Sequence, residues 1–143
     1  MGNNNLCSTH ILRQAKISNT KVRKSILEFL MKNHGPFSID EIHEKISTCD
    51  STTVYRCIKK FEKCKIVERC DFGDNISRYE YKCSEHHHHI MCRNCNRIDT
   101  VKYCFVKEME KVLIQQGYKE VSHKLEFFGI CQDCQNSNTN SEN

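Results

Sequence analysis

Apolar residues in the first half of the chain recur at the three- and four-residue spacing of helices that bury one face. The pattern predicts helices over 9–17, 20–34 and 38–46, and a fourth that begins at Asp50 or Ser51. Ser38, followed three residues later by Glu41, forms a capping box. Strands over 66–71 and 77–82 follow, joined by the turn "FGDN". Helices followed by a hairpin are typical of a winged helix-turn-helix domain, whose recognition helix enters the DNA major groove.

After residue 85 the pattern changes to short strands and one helix. "HHHHIMC" and "RIDTV" predict strands, 103–117 predicts a helix that ends at Gly117, and 119–131 predicts another strand. The chain is therefore predicted to have an α+β fold in three parts. These are a winged-helix DNA-binding domain over 1–82, a small α/β domain over 83–134, and a polar, disordered tail over 135–143.

Composition narrows the class of protein. The 143 residues include 11 cysteines and carry a net charge of +4. Residues 1–82 hold 15 basic and 10 acidic residues, and residues 83–143 hold 7 and 8, so the basic charge belongs to the predicted DNA-binding part. No apolar run approaches the roughly 20 residues of a membrane helix, and the start of the chain lacks a signal-peptide pattern. We expect a cytoplasmic protein, in which so many cysteines favour metal thiolates or free thiols over disulfides.

Two CxxC pairs, "CRNC" and "CQDC", are separated by residues 96–130. Each pair can offer two thiolates to one ion, and together they predict a tetrahedral structural zinc site. A redox CxxC is the main alternative, but it normally occurs singly. The predicted ligands are Cys92, Cys95, Cys131 and Cys134.

Four consecutive histidines precede the first pair. Alternate side chains of a strand share a face, so His87 and His89 would point one way and His86 and His88 the other. Candidate partners are Glu68, Glu80, Cys83 and Glu85 for the first pair, and His123 with Glu108 or Glu110 for the second. Shells containing cysteine suit zinc, whereas histidine and carboxylate shells also suit iron or manganese. No catalytic zinc motif is present, and we expect no enzyme activity.

The fourth helix carries the candidate DNA contacts. Hydroxyls and amides at its N-terminus can hold a phosphate, and an arginine can bind guanine through two hydrogen bonds. An ordinary amphipathic helix with a solvated basic face is the alternative. The DNA-binding candidates are Lys21, Arg23, Thr52, Thr53, Tyr55, Arg56 and Lys59.

These motifs, in this order, resemble the ferric uptake regulator (Fur) family of metal-dependent repressors. The matching segments are Thr20 with Arg23, "TTVYR" at 52–56, "RYEY" at 78–81, "HHHHIMCRNC" at 86–95 and "SHKLEFFGICQDC" at 122–134. The resemblance implies a homodimer that binds a palindromic DNA operator. It also implies that residues 83–134 form the dimerisation domain and that a regulatory metal acts as corepressor.

The resemblance leaves the regulatory metal open. "GPFS" and "CSEHHHH" look like the zinc-uptake regulator branch, whose site corresponds here to Glu68, Cys83, His87 and His89, whereas Glu80 matches an acid of the iron-sensing branch. A histidine and a carboxylate of the iron and peroxide branches are replaced by Pro36 and Thr100. We therefore predict a zinc-responsive repressor. The alternatives are an iron(II)- or peroxide-responsive repressor, and a metal-storage or chaperone protein that does not bind DNA.

Overall fold

Apolar stripes on four helices form the core of the first of two units. The computed structural model describes residues 7–83 and 85–138, and the chain divides into unit 1, Met1–Lys82, and unit 2, Cys83–Asn143. The helices are α1 (Ser8–Gln14), α2 (Lys21–Lys32), α3 (Ile39–Ile46) and α4 (Ser51–Lys63). The fully buried side chains at their centre are Leu12, Ile26, Leu27, Ile42, Val54, Ile58 and Phe61.

Side-chain caps fix where these helices begin. The Ser38 capping box is confirmed, because Glu41 N–H donates to Ser38 Oγ over 3.2 Å and Ser38 N–H donates to Glu41 Oε2 over 2.7 Å. Asp50 caps α4 by accepting a 2.7 Å hydrogen bond from the backbone N–H of Thr53. Such caps satisfy N–H groups that a helix cannot pair internally.

A three-stranded antiparallel sheet completes unit 1. The predicted hairpin is confirmed as β2 (Val67–Asp71) and β3 (Ser77–Tyr81), which follow α4 as the wing of a winged helix. Strand β1 (Phe37–Ser38) pairs with β3 on its other side. Strand β1 was not predicted from the sequence, since two residues carry no periodicity.

Unit 2 is a small α+β unit with a mixed sheet. Its elements are β4 (His88–Cys92), β5 (Ile98–Val101), α5 (Lys107–Gln115), β6 (Glu126–Gly129) and α6 (Gln132–Asn138). Strand β4 lies at the centre, antiparallel to β5 and parallel to β6. Among the described residues, the buried apolar side chains of this unit are Met91 and Cys92. No helix in the described ranges is long and apolar enough to cross a membrane.

The end of the chain differs from the sequence prediction. Residues 135–143 were predicted to be a disordered tail, but α6 extends to Asn138, and residues 139–143 lie outside the described part. The helix starts directly after Cys131, whose carbonyl accepts a 3.0 Å hydrogen bond from the backbone N–H of Gln135. Local hydrogen bonds and the anchored CxxC pair therefore order a segment that lacks apolar residues.

We predict that Ile42→Val lowers the free energy of unfolding of unit 1 by about 1 kcal/mol, because it removes one methylene from a fully buried site. Ile76→Val is the matched control, since Ile76 is 44% exposed in the hairpin turn. Urea denaturation followed by circular dichroism measures both variants. Equal stability of the two variants would contradict the position assigned to Ile42.

Candidate functional site

Four cysteine thiols converge at one end of the unit 2 sheet. Cys92 ends β4, Cys95 lies in the following turn, Cys131 follows β6, and Cys134 lies in α6. Their Sγ atoms all lie within 4.8 Å of one another, and Cys95 Sγ is 3.7 Å from Cys131 Sγ. A tetrahedral shell with zinc–sulfur bonds of about 2.3 Å separates its sulfurs by about 3.8 Å. The arrangement therefore fits one zinc ion, and we call it the four-cysteine cluster.

Strand pairing brings the two CxxC pairs together. Parallel pairing of β4 with β6 places Cys92 opposite Gly129, two residues before Cys131. The backbone N–H of Cys131 donates to Cys92 Sγ over 3.3 Å, and this donor, with the N–H of Cys95, lowers the pKa of Cys92 to about 6. Contact with the Cys131 thiol and burial raise the pKa of Cys134 to about 12. Backbone N–H groups therefore favour the thiolate form of Cys92, whereas Cys134 needs a bound cation to ionise at neutral pH.

A second group of ligand atoms includes His88, the first residue of β4, and His86, two residues before the strand. The three Nε2 atoms of His86, His88 and His123 are 2.9 to 3.1 Å apart. Cys104 Sγ lies 3.5 Å from His123 Nε2, and all four ligand atoms lie within 4.8 Å of one another. Burial, followed by the neighbouring imidazoles, lowers the pKa of His86 and of His88. Both rings are therefore neutral at pH 7, as metal binding requires. We call this group the three-histidine cluster.

Of the two acids predicted to join this group, the structure places Glu110 beside it and Glu108 outside it. Glu110 Oε1 lies 2.5 Å from His123 Nδ1, whereas Glu108 is exposed and pairs with Lys111 over 2.8 Å. Two residues apart on α5, the acids point in nearly opposite directions. Cys104 was not predicted as a ligand, because an isolated cysteine before a helix has no ligand spacing in the sequence. Only its position in the fold brings it to the histidines.

The predicted alternation of the histidine run is confirmed. The rings of His86 and His88 are 4.6 Å apart between centroids, and those of His87 and His89 are 5.0 Å apart. Cys83 Sγ lies 3.6 Å from His87 Nδ1. Three of the predicted regulatory ligands are therefore neighbours within unit 2.

The two predicted regulatory acids, Glu68 and Glu80, belong to unit 1. They face each other as partners in the β2–β3 ladder. Glu80 is buried, with the Cys70 thiol 3.7 Å from its Oε1, whereas Glu68 is exposed and pairs with Lys82 over 3.3 Å. Their role as metal ligands remains a prediction.

Helix α4 presents several of the predicted DNA contacts to solvent. Thr52, Tyr55 and Arg56 are exposed, and Tyr55 is 51% accessible although it is a large aromatic residue. Lys59 forms an ion pair with Glu62 on the same helix. The amide and hydroxyl of Thr53 both donate to the Asp50 cap, so Thr53 contributes more to the start of the helix than to a free anion site.

The two candidates at the start of α2 have different surroundings. Lys21 is exposed at the first position of the helix. Arg23 is half-buried and donates to the backbone carbonyl of Ser18 over 3.1 Å. Its guanidinium therefore stabilises the connection between α1 and α2, and Lys21 is the residue of this pair that can reach a phosphate directly.

Helix α5 buries none of its residues within this chain. Met109, Val112 and Ile114 on the helix are exposed, as are Phe128 on β6 and Ile130 just after it. Exposed apolar patches usually mark an interaction site. Met109 and Val112 are three residues apart and share one side of the helix, and we call these two residues the apolar face of unit 2.

A winged helix joined to a unit with convergent metal ligands defines the class of metal-binding DNA regulators. The model of the ferric uptake regulator family matches residues 14–128. The peroxide-responsive repressor PerR of Staphylococcus aureus, strain Mu50, is 31% identical over an alignment of 129 residues that covers 87% of this chain and 86% of that protein. The chain therefore belongs to the ferric uptake regulator family of metal-responsive, DNA-binding regulators.

Solved structures agree with this assignment. The ferric uptake regulator from Francisella tularensis with iron is 28% identical, with a TM-score of 0.71 over 83% of this chain and 95% of that one. A zinc-bound manganese uptake regulator is 25% identical, with a TM-score of 0.71 over 87% and 98% of the two chains. Similar folds thus occur in regulators solved with different metals.

We predict that Cys131→Ser removes one zinc ion per chain, because a shell with three thiolates and an alcohol binds zinc far more weakly than four thiolates do. Metal analysis by mass spectrometry after dialysis measures the loss. Cys49→Ser in unit 1, a cysteine outside every ligand group described here, should keep the metal. Equal zinc content in the two variants would contradict the zinc assignment.

Proposed function

We propose that this protein is a transcriptional repressor that uses zinc as corepressor and binds a palindromic operator as a homodimer. In this proposal the four-cysteine cluster holds a structural zinc ion. Zinc bound at the histidine run then sets the affinity for DNA. The corresponding hypothesis is that the chain belongs to the zinc-uptake branch of the family, which the segments "GPFS" and "CSEHHHH" resemble.

The observation that carries the choice of zinc is that the Cys83 thiol lies beside the His87 ring, with Sγ 3.6 Å from Nδ1. Nδ1 of this ring also lies 3.1 Å from Glu85 O and therefore carries the proton, which leaves the Nε2 lone pair for a metal. With His89 beside His87, the segment that opens unit 2 offers one sulfur and two imidazole ligands. Thiolate and imidazole ligands together favour zinc, whereas iron(II) and manganese sites that sense metal or peroxide favour imidazole and carboxylate ligands.

An iron(II)- or peroxide-responsive repressor is the second candidate. The 31% identity to a peroxide-responsive repressor supports it, as does the 28% identity to a structure solved with iron. The buried carboxylate of Glu80 supplies the kind of hard ligand that such a site needs.

DNA recognition is assigned to α4. Its exposed Tyr55 can contact a base edge or a thymine methyl group, and Arg56 can bind guanine through two hydrogen bonds. Exposed lysines such as Lys21 add phosphate contacts, which position the protein without reading sequence. A homodimer would present two copies of α4 to successive half-sites, which explains the preference for a palindrome.

Zinc can raise operator affinity only if it binds one conformation of the chain better than the others. Cys83 lies two residues after β3 ends at Tyr81. Metal held by Cys83, His87 and His89 would order the segment that links the wing strands to β4. Ordering this segment would restrict the conformations that the chain can adopt. If the conformations that remain include the one that binds DNA, the operator affinity rises.

The apolar face of unit 2 is assigned to the homodimer. A second copy of this chain offers the same apolar side chains, so a two-fold contact would cover both faces at once. This assignment also explains the exposed apolar side chains of α5, which buries none of its residues within its own chain.

We predict that zinc raises operator affinity in protein that already holds one zinc per chain, and that Cys83→Ser raises the free zinc required by at least about tenfold. Duplex DNA selected by the zinc-loaded protein from a random library is the probe. Fluorescence anisotropy is measured at buffered free zinc and, separately, buffered free iron(II). Binding at far lower free iron(II) than zinc, with no effect of Cys83→Ser, would establish the iron alternative. DNA binding that is independent of metal would contradict both.

We predict that Arg56→Ala weakens binding to the selected DNA about tenfold or more, because it removes a contact to a base edge. Lys111→Ala removes the same charge from unit 2 and serves as the control. Equal affinities of the two variants would contradict the assignment of α4.

We predict that Val112→Asp converts the protein from dimer to monomer, because a buried, unpaired carboxylate is unfavourable in an apolar interface. Light scattering should give twice the 16.8 kDa chain mass for the unmodified protein and the chain mass for the variant. Ile114→Asp adds the same charge on the opposite side of α5, two residues from Val112, and should remain dimeric. A dimeric Val112→Asp protein would place the interface elsewhere.

A further inference from the structure

The three-histidine cluster has a hydrogen-bonding conflict that a bound cation resolves. A carbonyl oxygen can only accept, so His88, whose Nδ1 lies 3.2 Å from Leu125 O, carries its proton on Nδ1. His123 likewise directs Nδ1–H at the Glu110 carboxylate. In their neutral forms both rings therefore present lone pairs at Nε2, and these two atoms are 3.1 Å apart.

Protons alone do not satisfy this arrangement. His86 can donate from Nε2 to one or both neighbours, which accounts for its distances of 2.9 and 3.0 Å. The contact between His88 and His123 would still bring two lone pairs together. Protonating Nε2 of His88 or His123 instead would pair these two nitrogens, but the Nε2 lone pair of His86 would then face the lone pair of the other ring. A single cation can accept a lone pair from each of the three nitrogens at once.

Strand register explains why the ligands meet. Parallel pairing of β4 with β6 matches His89 to Glu126, an offset of 37 residues, and the same offset relates His86 to His123. Antiparallel pairing matches His88 to Val101, so the chain that leaves β5 runs back past the start of β4. Cys104 lies in that connection, three residues beyond Val101.

The distances match a mixed tetrahedral shell. Zinc–nitrogen bonds of about 2.0–2.1 Å separate nitrogens by about 3.3–3.4 Å, and a zinc–sulfur bond of about 2.3 Å puts sulfur about 3.5–3.6 Å from each nitrogen. The nitrogens here are slightly closer together, at 2.9 to 3.1 Å, and Cys104 Sγ lies 3.5 Å from His123 Nε2. The Nδ1 partners Leu125 O and Glu110 hold two of the rings in the orientation that such a shell needs.

We propose that Cys104 is a thiolate ligand in a second, non-structural metal site with His86, His88 and His123, and that its sulfur makes this site selective for zinc over manganese(II) and iron(II). This inference deepens the proposed function, on which it rests, by assigning zinc selectivity to a residue that no ligand spacing reveals. The thiolate supplies a soft ligand and a negative charge where a carboxylate would equally suit the harder ions.

Cobalt(II) binding tests the ligand set without DNA. The starting protein carries Cys83→Ser and one zinc per chain, so that Cys104 is the one cysteine of unit 2 outside the four-cysteine cluster that remains. Cobalt(II) should give the visible absorption of a tetrahedral ion and a sulfur-to-cobalt charge-transfer band in the near ultraviolet. Adding Cys104→Ala should abolish that band and weaken cobalt(II) binding at least about tenfold. Adding Cys64→Ala, which removes a thiol of unit 1, is the matched control and should change neither.

Selectivity supplies a second readout. Cys104→Asp replaces sulfur with a carboxylate, and the ratio of zinc to manganese(II) affinity should fall by about tenfold or more. A charge-transfer band that survives Cys104→Ala, or an affinity ratio unchanged by Cys104→Asp, would overturn the assignment. Loss of the band on adding Cys104→Ala, together with no metal-dependent DNA binding by the unmodified chain, would instead uphold this ligand set and contradict the repressor function.

Discussion

The stability of unit 2 depends on ligand side chains that converge on a metal ion, because the apolar core of this unit is very small. Met91 and Cys92 are its buried apolar side chains among the described residues, whereas unit 1 buries stripes from four helices. Burial of one large apolar side chain contributes about 1.5–3 kcal/mol, which cannot offset the entropy lost in ordering a whole unit. Metal–thiolate bonds at the four-cysteine cluster would supply the missing free energy, since metal binding and folding are then coupled.

Strand β4 and the residues just before it contribute ligand side chains to more than one cluster of unit 2. An alternation that begins two residues before the strand separates His86 and His88 from His87 and His89. The last residue of the strand, Cys92, belongs to the four-cysteine cluster. The neighbouring strands then supply the partners, His123 just ahead of β6 and Cys104 just beyond β5. In the proposed function, one short strand would therefore serve a structural ion and regulatory ions together. Because these sites would share a backbone, binding at one would restrain the geometry of the others.

Short-range patterns in the sequence predicted much of this structure. The Ser38 capping box, the hairpin and the alternation of the histidines each depend on residues close in the chain, and all are confirmed. The features that were not predicted depend on pairing at long range. Cys104 approaches His123 only through the register of three strands, and the choice of Glu110 over Glu108 follows from where α5 begins. Helix α6 is similar, since an anchored cysteine orders residues without apolar character.

Amide hydrogen exchange of the full chain, with zinc present and after its complete removal by a chelator, tests most directly whether metal coordination holds unit 2 together. Coordination predicts that the amides of β4 and β6 lose protection when zinc is removed, while those of α2 and α4 keep theirs, because unit 1 has its own apolar core. Amides of β4 and β6 that stay equally protected without metal would contradict it.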